Sequence, residues 1–344
     1  MRAIRLHEFG GPEKLVVEET DLPRPRADEV LVRVHACGVC YLDVIVRSGM
    51  RSHAALPLTL GHEIAGVITE TGPNVRGFAV GDRVASTYRI ACGHCRYCRD
   101  GQSAVCDNRQ GIGEHRNGGY AEYVALPESA ISRVPLSVCL EQACICGCVI
   151  GAVYVAVVKK AAVRPGQTVL VTGAGGGVGV HALQLSRLAG ARVIAVTSSE
   201  HKVERIKELG ADEVILSRRG SDFSAEVMRL TDGRGAEVVV EGVGSATFPA
   251  TFRSIAKAGR LVFVGEISGQ PAQFNPALMI YKEIVLTGAQ SANAEELTQV
   301  LELVAGGRIK PIIGEILPIE QAARAHQMLA ENRNFGRLVL QVGS

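Results

Sequence analysis

Tryptophan is absent from these 344 residues, and aromatic residues together make up only 4 %. That is too few for the stacking platforms on which single-stranded nucleic acids are held. An excess of charge of one sign is also missing: 37 Lys and Arg stand against 35 Asp and Glu, a net charge of +2. A phosphate-backbone or anionic-membrane binder needs a basic stripe, so we expect no nucleic acid and no membrane among the partners. The longest uncharged apolar run, Ala143 to Val158, covers 16 residues and contains Gly147 and Gly151. It falls short of the ~18–20 residues that span a bilayer and reads as a buried segment. The stretch MRAIRLHEFG has no apolar h-region, from which we expect no secretory signal and a cytoplasmic location. In a reducing compartment the ten cysteines remain thiols, and metal binding is the better reading than disulfides.

Proline is sparse at 13 residues, whereas glycine reaches 39. A glycine surplus without proline means tight turns and close backbone approaches, not disorder. The length suits two domains of ~100–200 residues each. In the first third, Glu29–Ala36 and Ile64–Thr71 alternate like strands, while Gly81-Asp82 and Gly118-Gly119 mark turns. From Thr168 the texture changes. Thr168–Thr172 reads as a strand, Val178–Ala189 as a helix, Arg192–Thr197 as a strand and Glu200–Leu209 as a helix. Ala236–Val240, Arg260–Val264 and Ile284–Leu286 are further strands of this kind. Strand and helix in alternation imply an α/β, doubly wound parallel sheet covered on both faces. The tail carries one helix, Ala294–Ala305, and a final strand, Arg337–Val342. The layout is thus a β-rich domain, an inserted doubly wound domain, and a return to the first.

Within VLVTGAGGGVGV a strand runs into Gly173, Gly175, Gly176, Gly177 and Gly179, and a helix starts at once. A sharp turn that approaches a pyrophosphate leaves no room for Cβ atoms, and the helix start offers free N–H groups to phosphates. The second strand ends in Thr197-Ser198-Ser199, with Lys202 and Arg205 on the next helix. A carboxylate at this point would hold the ribose 2′-hydroxyl of NAD. Hydroxyls and cations accept a 2′-phosphate, so we expect NADP(H) in preference to NAD(H).

Cys92, Cys95, Cys98 and Cys106 fall within ACGHCRYCRDGQSAVC. That spacing lets one loop wrap four thiolates around a structural Zn²⁺ with no open position, an iron–sulfur cluster being the rival occupant ranked below it; His94, between ligands, reads as a solvated loop residue. A second set is scattered: Cys40 in CGVCYLD, His62 in LGHE, and one thiol of Cys144, Cys146 and Cys148. From the residues alone nothing says that these meet.

The order GHE at 61–63, the cysteine lobe, GDRV at 81–84, GGYAEY at 118–123 and the glycine turn resembles the zinc-dependent medium-chain dehydrogenases, the alcohol dehydrogenase family. The resemblance implies a GroES-like catalytic domain over 1–148 and 288–344, with its zinc lobe at 92–106, and a Rossmann domain over 149–287. It implies two zinc ions per chain and a homodimer or homotetramer acting on a small-molecule substrate. Cys40, His62 and Cys148 match the ligands of the catalytic zinc. Asp43 matches the carboxylate that orients the ligand histidine, and Glu63 the acidic residue behind the metal, able to coordinate it transiently. Val178 matches the valine behind the nicotinamide, and Arg337 the arginine that reaches the pyrophosphate. Cys37 and Cys139 are expected to be buried thiols. The activity implied is hydride transfer between NADP(H) and an alcohol, aldehyde or ketone.

One departure stands out. Two residues after Cys40, where the family's alcohol dehydrogenases carry a proton-relaying Ser or Thr, stands Leu42; Val44-Ile45 follow where many members have a relay histidine. Tyr41 is the nearest candidate donor, or a residue beside the cofactor. The Cys-Tyr-x-Asp pattern also resembles NADPH-dependent acryloyl-CoA-type enoyl reductases of the same superfamily. Arg47, Arg51 and His53 would then line a basic mouth for a CoA substrate. A non-catalytic NADPH-binding protein is a third reading.

Overall fold

The computed structural model describes residues 1–50, 54–218 and 221–343; Arg51 and His53 lie outside the described residues. The chain divides into two units, Met1–Gly151 with Ser291–Ser344, and Ala152–Gln290.

The first unit is organised on strand Glu29–Val39, longer than its alternating pattern suggested because the apolar run continues through Ala36, Cys37 and Val39, all buried. It pairs antiparallel with Glu63–Thr71 along one edge and with Tyr123–Pro127 and then Arg337–Gln341 along the other. Arg83–Ser86, Ile131–Arg133 and Ile313–Pro318 complete a seven-stranded sheet. Register shifts between Leu31 and Val32, and between Val34 and Ala36, bend the long strand as bulges do. The register sets Gly38 opposite Glu63, where a Cβ on residue 38 would run into the Glu63 carboxylate. Leu6, Leu60, Ile64, Ile68, Ile112, Tyr120 and Leu126 fill the core.

Helix Ala294–Ala305 has the bounds expected of it. Asn293 accepts from the Glu296 N–H at 2.8 Å while Glu296 accepts from the Asn293 N–H at 2.9 Å, a reciprocal cap. Its buried face is Leu297, Val300, Leu301 and Val304. The tail departs from expectation elsewhere, adding strand Ile313–Pro318 and helix Ala322–Ala330. Gly314 and Pro318 mask the strand in the sequence, and the alanines of AARAHQMLA leave the helix without a strong apolar stripe.

In the second unit six parallel strands lie in the order Glu213–Leu216, Arg192–Thr197, Thr168–Val171, Ala236–Glu241, Ile255–Phe263, Val285–Gly288. The first strand in sequence is central, so the order reverses beside it, and ligands of such sheets bind beyond the carboxyl ends at that point. The fifth strand begins at Ile255 rather than Arg260, with Ala258 at φ +55°; that local kink hides its first half from pattern reading. The segment Glu200–Leu209 opens as a 3₁₀ turn, Glu200–Lys202, before helix Val203–Glu208.

Among the described residues one helix, Leu140–Lys160, is long and apolar enough to cross a membrane, with mean hydropathy 1.9, but 72 % of that window is buried inside the protein. It contains two π-helical stretches, Cys146–Ile150 and Val155–Lys160. Such wide turns commonly sit at functional positions, and the first of them carries Cys148.

Candidate active site and metal centres

The cysteine lobe is a loop closed at its base by the pairing of Arg89–Ile90 with Gln110–Gly111. Gly93 turns the chain at φ +79°, Cys95 caps the short helix Arg96–Arg99, and the 3₁₀ turn Ser103–Val105 delivers Cys106. The four sulfurs lie within 4.8 Å of one another. The Cys92 N–H donates to Cys106 Sγ at 3.3 Å. Backbone N–H groups of His94 and Cys95 draw the Cys92 thiol down to about 6, whereas burial beside the other sulfurs pushes Cys98 up to about 12. Thiols this close, already drawing on backbone donors, are suited to a tetrahedral dication. His94 is exposed, its Nδ1 2.8 Å from the Cys92 carbonyl.

The scattered set also converges. Cys40, His62, Glu63 and Cys148 bring one ligand atom each to within 4.8 Å of the others. Cys40 caps helix Tyr41–Arg47, its N–H donating to Asp43 Oδ2 at 2.9 Å. His62 directly precedes strand Glu63–Thr71, and its Nε2 is 3.4 Å from Cys148 Sγ. Cys148 gets there because residue 147 is glycine: any Cβ would collide with the Ser86 carbonyl, so only glycine lets this helix lie against the strand. Asp43 Oδ1 accepts from His62 Nδ1 at 3.0 Å, which leaves Nε2 facing the thiols. The Tyr88 ring lies 4.6 Å from the His62 ring, centroid to centroid, and its hydroxyl donates to Glu114.

Electrostatics within this cluster are mutual. The Cys148 thiol donates to Cys40 and, with Arg337 nearby, holds the Cys40 thiol well below its ordinary value; the same bond holds Cys148 well above its own. Burial opposes a charged His62 ring, yet Asp43 raises its pKa well above the usual histidine range. Burial also raises Glu63, against the pull of Arg337.

Several expected positions turn out differently. Arg337 is buried, its Nε 2.8 Å from Glu63 Oε2 and its Nη2 on Glu63 Oε1. Two of its three nitrogens are committed to a buried carboxylate, and the pyrophosphate role expected of it rests on the resemblance alone. Arg47 does not line a basic mouth: it is buried, donating from Nε to the Gly10 carbonyl at 3.1 Å. Cys37 is buried as expected, but Cys139 is exposed at the start of helix Leu140–Ala143. Cys144 and Cys146 donate to the Glu141 and Gln142 carbonyls at 3.2 and 3.3 Å, so their sulfurs turn back along their own helix. Tyr41 is half-buried, and Leu42 packs on the apolar core.

In the second unit the glycine turn forms as drawn from the sequence. Gly173 has φ +60°, Gly176 caps helix Gly177–Leu188, and a Cβ at Gly179 would strike the Gly173 carbonyl and Ala174. Val178 faces Gly242, whose Cβ would lie 3.4 Å from it. Thr197 closes its strand, accepting from the Ser199 N–H at 3.2 Å, while Ser198 is exposed. Lys202 is buried with its chain across Gly175, where a Cβ would come 2.6 Å from Cδ. Pattern reading missed Glu241: its Oε1 accepts from Thr172 Oγ1 at 2.6 Å, Thr247 Oγ1 at 2.8 Å and the N–H groups of Val243 and Gly244 at 2.8 and 3.0 Å. The glycines that follow it, in EGVG, were the available signal.

Two cysteine sulfurs and an imidazole converging in the unit that carries the four-thiol lobe, together with a second unit whose strand order is that of dinucleotide-binding sheets, narrow the family sharply. Residues 26–136 match the family described as alcohol dehydrogenase GroES-like domain, and residues 177–306 match zinc-binding dehydrogenase. The chain belongs to the zinc-dependent alcohol dehydrogenase family. It is similar to an acryloyl-coenzyme A reductase of Sulfurisphaera tokodaii, 35 % identical over 94 % of this chain and 96 % of that one. It is equally similar to an NAD-dependent alcohol dehydrogenase of Saccharolobus solfataricus, 35 % identical over 99 % of both. Among solved structures, a protein named AibC is 45 % identical with a TM-score of 0.94, over 100 % of this chain and 96 % of that one. The chain is therefore an oxidoreductase with a GroES-like domain and a Rossmann-type domain, a family of zinc and nicotinamide cofactors.

The Glu63–Arg337 pair gives a direct test of this family site's wiring. Arg337→Leu leaves a fully buried carboxylate without its counter-charge and should cost about 3–5 kcal/mol of stability, read from urea midpoints. Replacing both partners with leucine should recover most of that loss; a double variant as unstable as the single one would show that the pairing is not the cause.

Proposed function

We propose that this oxidoreductase is an NADPH-dependent reductase of conjugated enoyl thioesters of the acryloyl type. The observation that carries the reading is Leu42. Hydride from NADPH goes to the β-carbon of a conjugated double bond and a proton from solvent to the α-carbon, so no relay is needed to carry a proton away from an alcohol oxygen. A branched alkyl group packed on the core suits that chemistry and is unsuited to an alcohol's proton. Relatives called acryloyl-coenzyme A reductases, at 35 and 36 % identity, support it. A second reading, reversible reduction of aldehydes and ketones, is favoured by the complete three-donor set and by the NAD-dependent alcohol dehydrogenases at the same level of identity.

The donor chemistry fits zinc: Cys40, His62 and Cys148 would hold one ion with a position left open, and the cysteine lobe a second with none. When bound at the open site, zinc supplies Lewis acidity to a substrate oxygen; NADPH supplies the hydride. The chain's own part is to position. Asp43 holds the His62 ring, Glu63 and Arg337 cancel each other's charge beside the thiols, and Leu42, packed on the core, offers no proton. In the second unit the Gly173–Gly179 turn cradles pyrophosphate at the helix start. Thr197, Ser198 and Ser199, with Lys202 and Arg205 following, present hydroxyls and cations where a carboxylate would repel a 2′-phosphate. The NADP(H) reading rests on this strand end and not on the relatives, some of which are called NAD-dependent.

Three measurements test these points. NADPH oxidation followed side by side with short enoyl-CoA thioesters and an aldehyde panel should favour thioesters; turnover of aldehydes alone would make the second reading the answer. Thr197→Asp should weaken NADPH binding more than NADH binding, by about tenfold for a 1.4 kcal/mol penalty. Equal effects on both would remove the argument for NADPH. Metal analysis should find about two zinc ions per chain, and Cys40→Ala should lose one while the lobe keeps its own; one zinc, unchanged by that substitution, would refute the open site.

A further inference from the structure

Behind His62 a hydrogen-bond chain runs away from the thiols through residues that no part of the proposed chemistry uses. Asp43 Oδ2 accepts from the Tyr120 hydroxyl at 3.2 Å, Tyr120 Oη lies 3.1 Å from His326 Nε2, and His326 Nδ1 lies 3.5 Å from Arg47 Nη1. None of Asp43, His62, Tyr120, His326 or Arg47 is more than 6 % exposed, so water does not compete for these bonds. Tyr120 comes from the GGYAEY loop and His326 from helix Ala322–Ala330, which packs beside helix Tyr41–Arg47 in the same unit.

The ends of the chain decide where each hydrogen sits. A guanidinium donates and never accepts. Nδ1 of His326 must therefore be the accepting nitrogen, and its hydrogen is on Nε2, pointing at the tyrosine oxygen. The single hydrogen of Tyr120 is then free only for Asp43. Asp43 also accepts from the Cys40 and Gly61 N–H groups, at 2.9 and 3.3 Å. With His62 Nδ1 this makes four donors on two oxygens, a full complement for a carboxylate. Burial, with Arg47 adjacent, pushes His326 down to about 4, so the ring stays neutral as this arrangement requires. All arrows run one way, and the last of them keeps a hydrogen of His62 on Nδ1, so that Nε2, turned toward Cys40 and Cys148, is the nitrogen whose lone pair a metal would take.

We propose that Tyr120 and His326, backed by Arg47, are positioning residues that fix Asp43 as an acceptor and thereby hold His62 in its metal-binding tautomer. The inference rests on the open metal site proposed above, and the test separates the two. In zinc-loaded protein, ¹⁵N-histidine ring spectra should show His326 as the Nε2–H tautomer; an Nδ1–H or doubly protonated ring overturns the chain. Tyr120→Phe should speed release of the open-site zinc to a chelator by about tenfold, the low end of the effect of losing a direct partner of a metal ligand, with the lobe's zinc retained. His326→Leu should match it, and the double variant should be no worse than either single one, since both act through the same bond. His326→Gln, whose amide N–H takes the place of Nε2–H, should stay close to the parent protein. A Tyr120→Phe protein that unfolds earlier but keeps its zinc as tightly as the parent would reduce Tyr120 to a packing residue and overturn the proposal. If the parent carries no open-site zinc, the metal reading fails by itself, and the His326 ring spectrum still decides the direction of the chain.

Discussion

A buried carboxylate that accepts four hydrogen bonds is the constraint on which the first unit depends. Asp43 is 1 % exposed; a charge in that position is tolerable only when each lone pair is met. The donors come from four places: the Cys40 N–H that starts a helix, the Gly61 N–H, the His62 ring and the Tyr120 hydroxyl. Gly61 adopts φ +90°, and a side chain there would collide with the Tyr120 ring and the Cys37 sulfur. Glycine, tyrosine and aspartate are thus one solution to one problem, and two candidate metal ligands are placed as its consequence. The stretch from Cys40 to Asp43 and the stretch from Gly61 to His62 meet because the carboxylate between them must be satisfied.

The second unit also gathers donors on a buried carboxylate at its functional turn, here on one oxygen only. Glu241 is fully buried at the carboxyl end of its strand, and one of its oxygens gathers Thr172, Thr247 and two backbone N–H groups. Thr172 in turn accepts from the Gly242 N–H at 3.0 Å. Strand Thr168–Val171 and strand Ala236–Glu241 therefore end at a shared polar knot, immediately before the glycine turn on one side and the turn at 242–244 on the other. Loops that bind a dinucleotide must hold their backbone groups still, and here a side chain belonging to neither loop does so.

These arrangements explain what could and could not be read from the sequence. The cysteine lobe was legible because all four ligands fall within one loop, so spacing alone carries the geometry. The glycine turn was legible because its steric demands are local: Gly179 must clear Gly173, six residues away. Helix Ala294–Ala305 announced itself by Asn293, Glu296 and a regular apolar face. Arg337 and Glu63 are 274 positions apart, and Tyr120 and His326 are 206 apart; no local pattern records such pairs. His326 sits in an alanine-rich helix whose sequence resembles a solvent-facing one, and only the packing of Tyr120 against it shows that the ring is buried. Cys139 misled in the opposite sense, since an isolated thiol reads as core until the chain is seen to expose it at a helix start.

Charge accounts for the remaining feature, the unequal thiols. Cys40 and Cys148 are near enough that one proton serves both, and the positive field of Arg337 favours giving the negative charge to Cys40. Arg337 cannot neutralise the pair, because Glu63 already claims it through two hydrogen bonds. Coupled groups of this kind titrate together and not as separate cysteines. To hold both as thiolates, two further positive charges are needed, and they must lie where the two sulfurs and the lone pair of His62 converge. Zinc meets that requirement with a compact dication and a preference for sulfur and nitrogen donors. A monovalent ion would leave one thiol protonated, and a hard dication would gain little from sulfur. The pairing of Glu63 with Arg337 is what makes the demand so specific: with that carboxylate and that guanidinium cancelling, and Asp43 met by its own four donors, the charge on the ligand atoms themselves is that of two sulfurs.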